Sequence, residues 1–124
     1  MNYEALHKIA DEAGKAAAEA LRPVPMVVGQ AKSLFSNEID PAKPTYFVPD
    51  GVCGFAWIWF RGNTGWGRWA RKAGLARSSY PSGLQISVHD YNQSMQKKEA
   101  YAQAYASVLR GYGVEEAFAA SRLD

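Results

Sequence analysis

An α+β domain is the fold class this amino-acid sequence predicts, and three observations predict it. Two long stretches, Met1 to Leu21 and Ser94 to Tyr112, repeat apolar residues at helical spacing. Short apolar runs between them, some strictly alternating, read as strands. A glycine-rich turn opens a third, shorter helical stretch. The order helix-strand-strand-strand-helix-strand-helix-strand predicts a three- to five-stranded sheet, mixed or antiparallel, with about three helices packed against it. At 124 residues the whole chain, 1–124, suits one domain and one core.

In the first stretch Leu6, Ile9, Ala10, Ala13, Ala17, Ala20 and Leu21 form one apolar stripe, Asn2 caps the start, and Pro23 stops the helix. The stripe is mostly alanine and buries little area, which makes residues 1–22 a candidate peripheral element. Pro25 to Val28 is a short strand candidate suited to an edge. Ala31 to Pro44 reads as a long loop, punctuated by Ser36, Asn37, Asp40, Pro41 and Pro44. Thr45 to Val48 and Val52 to Phe60 read as strands joined by the turn Pro49-Asp50-Gly51, where proline presets φ and glycine accepts the positive φ. That arrangement predicts a hairpin. The second of these strands is apolar on both faces, Cys53, Phe55, Trp57 and Trp59 on one and Ala56, Ile58 and Phe60 on the other, as expected of a central strand covered on both sides.

Gly62 to Gly67 is a loop whose Thr64 caps a short helix with Trp66, Trp69, Ala70 and Ala73 on its apolar side, ended by Gly74. Leu84, Ile86 and Val88 alternate with Gln85 and Ser87, the signature of a half-buried strand. The segment Phe60 to Leu84 suits a crossover between parallel strands. Ser94 to Tyr112 carries Tyr101, Ala102, Tyr105, Val108, Leu109 and Tyr112 at helical spacing, with Gly111 and Gly113 at its end. Val114 to Ser121 reads as a last strand with Val114 and Phe118 inward.

Fourteen basic and twelve acidic side chains leave a net charge of +2, which excludes a histone-like protein and a polyanion mimic. The one cysteine, Cys53, cannot form an internal disulfide. Residues Met1 to Ala20 are charged throughout, and no apolar run approaches the ~20 residues that span a bilayer. The expectation is a cytoplasmic protein with no membrane contact.

Charge is distributed unevenly. From Gly51 to His89 there is no acidic residue, while Arg61, Arg68, Arg71, Lys72 and Arg77 interleave with Trp59, Trp66 and Trp69. Cations meet phosphates and aromatic faces stack on bases, so this segment is a candidate single-strand or RNA-binding surface. The opposing reading makes Trp66 and Trp69 the buried face of a helix and Arg68, Arg71 and Lys72 its solvated face. The loop Arg61-Gly62-Asn63-Thr64-Gly65-Trp66-Gly67 is a candidate anion site at a helix N-terminus, although it matches neither the dinucleotide fingerprint nor the P-loop.

Cys53, His89 and Asp90 are candidates for a thiol hydrolase, because an imidazole that takes the thiol proton leaves a thiolate nucleophile. Asp50-Gly51-Val52-Cys53-Gly54-Phe55 resembles the cysteine segment of small papain-like peptidases over those few residues, but there the cysteine starts a helix, whereas Cys53 is placed at a strand. A buried, inert cysteine and a strand-end turn are the plain alternatives. His7, His89 and Cys53 have no metal-binding spacing, and no motif points to a cofactor.

Cys53-Gly54-Phe55-Ala56-Trp57, the stretch His89 to Met95 with its following helix, and the ending Ser121-Arg122-Leu123-Asp124 together resemble small conserved proteins of tailed bacteriophages with no assigned activity. The resemblance covers Tyr46 to Asp124 and implies expression in the cytoplasm of a bacterial host. With no convincing catalytic set in the sequence, the expected function is a non-enzymatic accessory protein that binds a host or phage protein. The alternatives are nucleic-acid binding through 61–77 and the hydrolase built on Cys53 and His89. A tryptophan-rich and a tyrosine-rich helix also suit a homodimer interface.

Overall fold

Period-two geometry sorts the run Gly54–Phe60 onto two faces, and the fold is built on that sorting. A computed structural model of the chain describes residues 2–21, 26–29, 45–48, 54–91 and 94–123, the strands 26–29 and 45–48 by their backbone. The elements are α1 (Tyr3–Ala20), β1 (Met26–Gly29), β2 (Thr45–Val48), β3 (Gly54–Phe60), α2 (Gly65–Lys72), β4 (Arg77–Ser78), β5 (Leu84–Ser87), α3 (Met95–Gly111) and β6 (Phe118–Leu123). Three helices and a four-stranded antiparallel sheet, in the order β4-β5-β3-β6, make this an α+β domain.

β1 and β2 form a separate antiparallel ladder, Met26 opposite Val48 and Gly29 opposite Thr45. The hairpin expected between 45–48 and 52–60 is therefore not formed. β2 pairs with β1, while β5 and β6 occupy the two edges of β3. A strand as apolar as β3 buries more surface between two partners than against a four-residue neighbour. The turn Pro49-Asp50-Gly51 and the loop 31–44 lie outside the described residues.

The inner face of the sheet carries Ala56, Ile58 and Phe60 of β3 with Leu84 and Ile86 of β5, all buried. Against it pack Ala102, Tyr105, Ala106 and Leu109 of α3, Leu6, Ala10 and Ala18 of α1, and Trp66 and Ala70 of α2. The buried positions of α1 are Leu6, Ala10, Gly14 and Ala18, one row at four-residue spacing. Small side chains along that row let α1 lie close to α3, and the alanine-rich helix shares the core of the sheet. Asn2, Thr64 and Ser94 each cap a helix by accepting a hydrogen bond from a backbone N–H three residues on.

Two further expectations are corrected by the register. β3 and β5 are antiparallel, so 60–84 is no parallel crossover; it carries α2 and then β4, which pairs with β5. The last strand begins at Phe118, after a tight turn closed by the Val114 N–H to the Leu109 carbonyl and the Ala117 N–H to the Val114 carbonyl. That turn breaks the alternation from Val114. Phe118 lands opposite Trp59, pointing away from the helices.

Candidate functional site

The second face of β3 makes the candidate site. Phe55, Trp57 and Trp59 alternate with the core residues and so project from the side the helices leave open. Phe55 is 42% exposed, and Trp57 and Trp59 are half-buried. Among the described residues no helix packs on this second face of the central strand, whereas the sequence predicts cover on both faces. On β6 the opposing positions are Arg122 to Phe55, Ala120 to Trp57 and Phe118 to Trp59; on β5 they are Ser87 to Trp57 and Gln85 to Trp59. These residues, with Ser79, Tyr80, Pro81, Ser82, His89 and Lys98, line an open hollow of about 950 Å³.

One end of the face is an aromatic platform. Trp59 stacks on Phe118 with ring centres 5.2 Å apart and planes 28° apart. The Trp59 Nε1–H donates to the Ser82 carbonyl at 2.9 Å, which fixes the indole against the segment joining β4 to β5. That segment is itself held by the Ser79 N–H to the Gly83 carbonyl (2.9 Å) and by Ser79 Oγ to Gln85 Oε1 (3.0 Å). Gly83 takes φ +81° directly beneath the Trp59 ring, where a Cβ has no room. Beside the platform Tyr80 is 97% exposed.

The other end is cationic. Lys98 reaches from α3 to the start of β3, donates from Nζ to the Gly54 carbonyl at 3.2 Å, and lies 5.6 Å from the centre of the Phe55 ring. Arg122 places its guanidinium carbon 5.3 Å from the same ring. Both are cation–π contacts, and they draw two positive charges to one neutral ring. His89 follows β5 at this end of the hollow. Among the described residues no carboxylate lines the hollow.

The residues singled out in 61–77 are not gathered into one surface. Trp66 is 1% exposed and packs on Tyr3, Phe60 and Trp69, and its Nε1–H has no acceptor among the described residues. Trp69 is half-buried against Tyr3 and His7. Arg68, Arg71, Lys72 and Arg77 point into solvent. Helical periodicity therefore separates these tryptophans from these cations. In the loop before α2, Arg61 is ion-paired with Glu116, Arg68 donates to the Asn63 carbonyl, and Thr64 Oγ1 accepts from the Gly67 N–H at 2.9 Å. A hollow of about 360 Å³ beside this loop is lined by Glu115 and Glu116 as well as Arg61, Asn63 and Thr64, so carboxylates accompany the one cation. Cys53 lies outside the described residues. His89 and Asp90 are exposed after β5. No cluster of three or more metal-ligating side chains occurs among the described residues.

A polar seam joins α1 to α3 away from the hollow. His7 Nδ1 and the Tyr105 hydroxyl share a hydrogen bond of 2.6 Å, the Tyr101 hydroxyl donates to Asp11, and Lys15 pairs with Asp11 at 3.0 Å. Burial holds the His7 imidazole below its ordinary pKa, with Lys15 adding to the effect and Asp11 opposing it. Burial pushes the Asp11 carboxyl up, but the Tyr101 hydrogen bond and Lys15 outweigh it and leave the group below its usual value. Burial raises both tyrosine hydroxyls, Asp11 reinforcing it, so both remain protonated.

No family model, no curated protein and no solved structure matches the chain. Among the described residues no helix is long and apolar enough to cross a membrane.

The sheet-face site uses one residue that sequence reasoning set beside the cations, Trp59, and one that it set aside as catalytic, His89. It missed Phe55, Trp57, Lys98, Phe118 and Arg122 as a group. Their signal was present in β3, where one strand holds aromatic residues on the face opposite a complete apolar set, within a segment free of acidic residues.

Proposed function

We propose that this protein acts by binding, and that its ligand is single-stranded nucleic acid laid across the outer face of the sheet. One observation carries the reading: the sheet face that no described helix covers lines an open hollow with Phe55, Trp57, Trp59 and Phe118, with Arg122, Lys98 and His89 beside them and no described carboxylate. Solvent-facing rings on a rigid sheet stack with unpaired bases, and the cations meet phosphates. A protein-binding patch of the same size also favours aromatic residues and arginine. The charge decides here, because the described lining carries cations and no carboxylate, and nucleic acid offers phosphates to the cationic end and bases to the aromatic end. The small phage protein suggested by the sequence resemblance fits this reading as a source, with the ligand changed from a protein to a nucleic acid.

Fluorescence anisotropy with single- and double-stranded oligonucleotides at two salt concentrations tests the proposal. Single strands are expected to bind more tightly than duplex, with affinity falling as salt rises because bound phosphates displace counterions. Absence of binding at low salt refutes the reading. If the protein then sediments as a dimer, the face belongs to a second copy of the chain.

A further inference from the structure

The hollow is divided by chemistry, and its cationic end is unlike a surface that merely tracks a backbone. Lys98 is 5% exposed and is held by the Gly54 carbonyl, so its ammonium is reachable only by a group that enters the hollow. Lys98 and Arg122 converge on Phe55 from different elements, α3 and β6, and among the described residues neither is paired with a carboxylate. Both positive charges lie against one neutral ring, and an anion bound beside it lowers their mutual repulsion. His89 adds a third nitrogen-bearing side chain at the same end. The platform of Trp59 and Phe118 lies four residues away along β3, about 13 Å at strand spacing.

We infer that the Lys98, Arg122 and His89 end of the hollow binds a terminal phosphate, a phosphomonoester at one end of the nucleic-acid strand whose bases stack on Trp57, Trp59 and Phe118. A phosphomonoester carries a charge of roughly −1.5 to −2 at neutral pH and offers three oxygens, which matches two fixed cations better than the single charge of an internal phosphodiester. It also ends the chain, so it can project into the hollow toward a recessed ammonium while the bases lie along the sheet. The inference rests on the nucleic-acid reading and narrows it to strand ends.

A short oligothymidylate prepared with a 5′-phosphate, with a 3′-phosphate and with neither, each internally labelled, provides the test by anisotropy. One phosphorylated form is expected to bind about tenfold more tightly than the unphosphorylated strand, the gain expected from charge-assisted hydrogen bonds. Lys98→Met and Arg122→Gln are each expected to abolish that gain, so that phosphorylated and unphosphorylated strands bind the variant with equal affinity. Arg122 is exposed, so its variant remains informative if Lys98→Met fails to fold. Inorganic phosphate, added at constant ionic strength, is expected to erase the advantage of the phosphorylated strand over the unphosphorylated one. If all three oligonucleotides bind wild-type protein equally, the inference is overturned and the nucleic-acid reading survives. If none binds at low salt, both fall together.

Discussion

Replacing Gly14 with alanine pits two effects of known sign against each other. Glycine inside a helix costs about 1 kcal/mol relative to alanine, so on propensity alone Gly14→Ala stabilises α1. The added methyl, however, falls 2.5, 2.7 and 2.9 Å from three carbons of the Tyr101 ring. Carbon atoms pack at about 3.5–4.0 Å, so the ring has to move by roughly 1 Å. It has little freedom to do so: its hydroxyl is bound to Asp11, and its ring packs between Tyr91 and Tyr105 at 6.2 and 5.9 Å. Overpacking of this kind costs about 1–3 kcal/mol, and the immobile ring places Gly14 in the upper part of that range. After the helix gain the net loss is roughly 1–2 kcal/mol, a fall in Tm of about 3–10 °C for a chain of this size. Gly111 ends α3 in open space, where a Cβ meets nothing within 4 Å. Gly111→Ala therefore keeps the propensity gain and is expected to raise stability by about 0.4–1 kcal/mol. Thermal unfolding followed by circular dichroism compares the pair. A Tm for Gly14→Ala at or above wild type would refute the close packing of α1 on α3 described here.

Trp57→Thr and Phe118→Thr keep a strand-forming residue while removing a ring, and each is expected to weaken single-strand binding by about 1–3 kcal/mol, roughly five- to 150-fold, in the anisotropy titration. Charge reversal at Arg68 and Arg71 alters the exposed side of α2 and is expected to change that affinity far less; a larger loss there than at Trp57 returns the site to 61–77. Stability should also depend on pH through His7. Its folded pKa lies below the ordinary 6.5, so the unfolded chain takes up the proton first as pH falls. The contribution is complete above pH 6.5 and declines as pH drops through 6.5 toward the folded value. Urea unfolding at pH 7 and pH 5 should show a loss that His7→Gln reduces; an equal pH dependence in the variant contradicts the assignment. The Asp11 carboxyl, also below its ordinary 3.8, acts only in more acidic solution and leaves that comparison undisturbed.

Local chemistry that acts over three or four residues was legible in the sequence. Asn2 and Thr64 cap their helices, Leu84 to Ser87 alternate, and Trp66 and Ala70 share the buried side of α2, all for reasons contained in neighbouring residues. Pairing between distant segments was not. The Pro49-Asp50-Gly51 turn argued for a hairpin, yet β3 takes β5 and β6 as partners, because the apolar area available across the sheet outweighs a favourable turn. The site was half legible for the same reason. The acid-free stretch and its tryptophans marked the region, but Arg122 joins Phe55 only through the β3–β6 register and Lys98 only through the packing of α3, contacts that span 67 and 44 residues of chain. Phe118 was assigned to the core because its spacing from Val114 was counted through a turn.

The two apolar faces of β3 also raise the question of what prevents the strand from sliding. A slip by one residue exchanges the faces, and in most half-buried strands the exchange is forbidden because polar side chains would enter the core. Here both sets are apolar, so polarity gives little protection on this strand. Size does instead. The inward set begins with Gly54 and Ala56, and a Cβ at Gly54 already lies 2.6 Å from the Arg122 carbonyl and from the Met95 sulfur. Phenylalanine or tryptophan at those places has no space beneath α3. The alignment of the central strand is thus keyed by volume, like a stepped shaft that seats in only one position, and enlarging Gly54 or Ala56 threatens the choice of face before it threatens the fold.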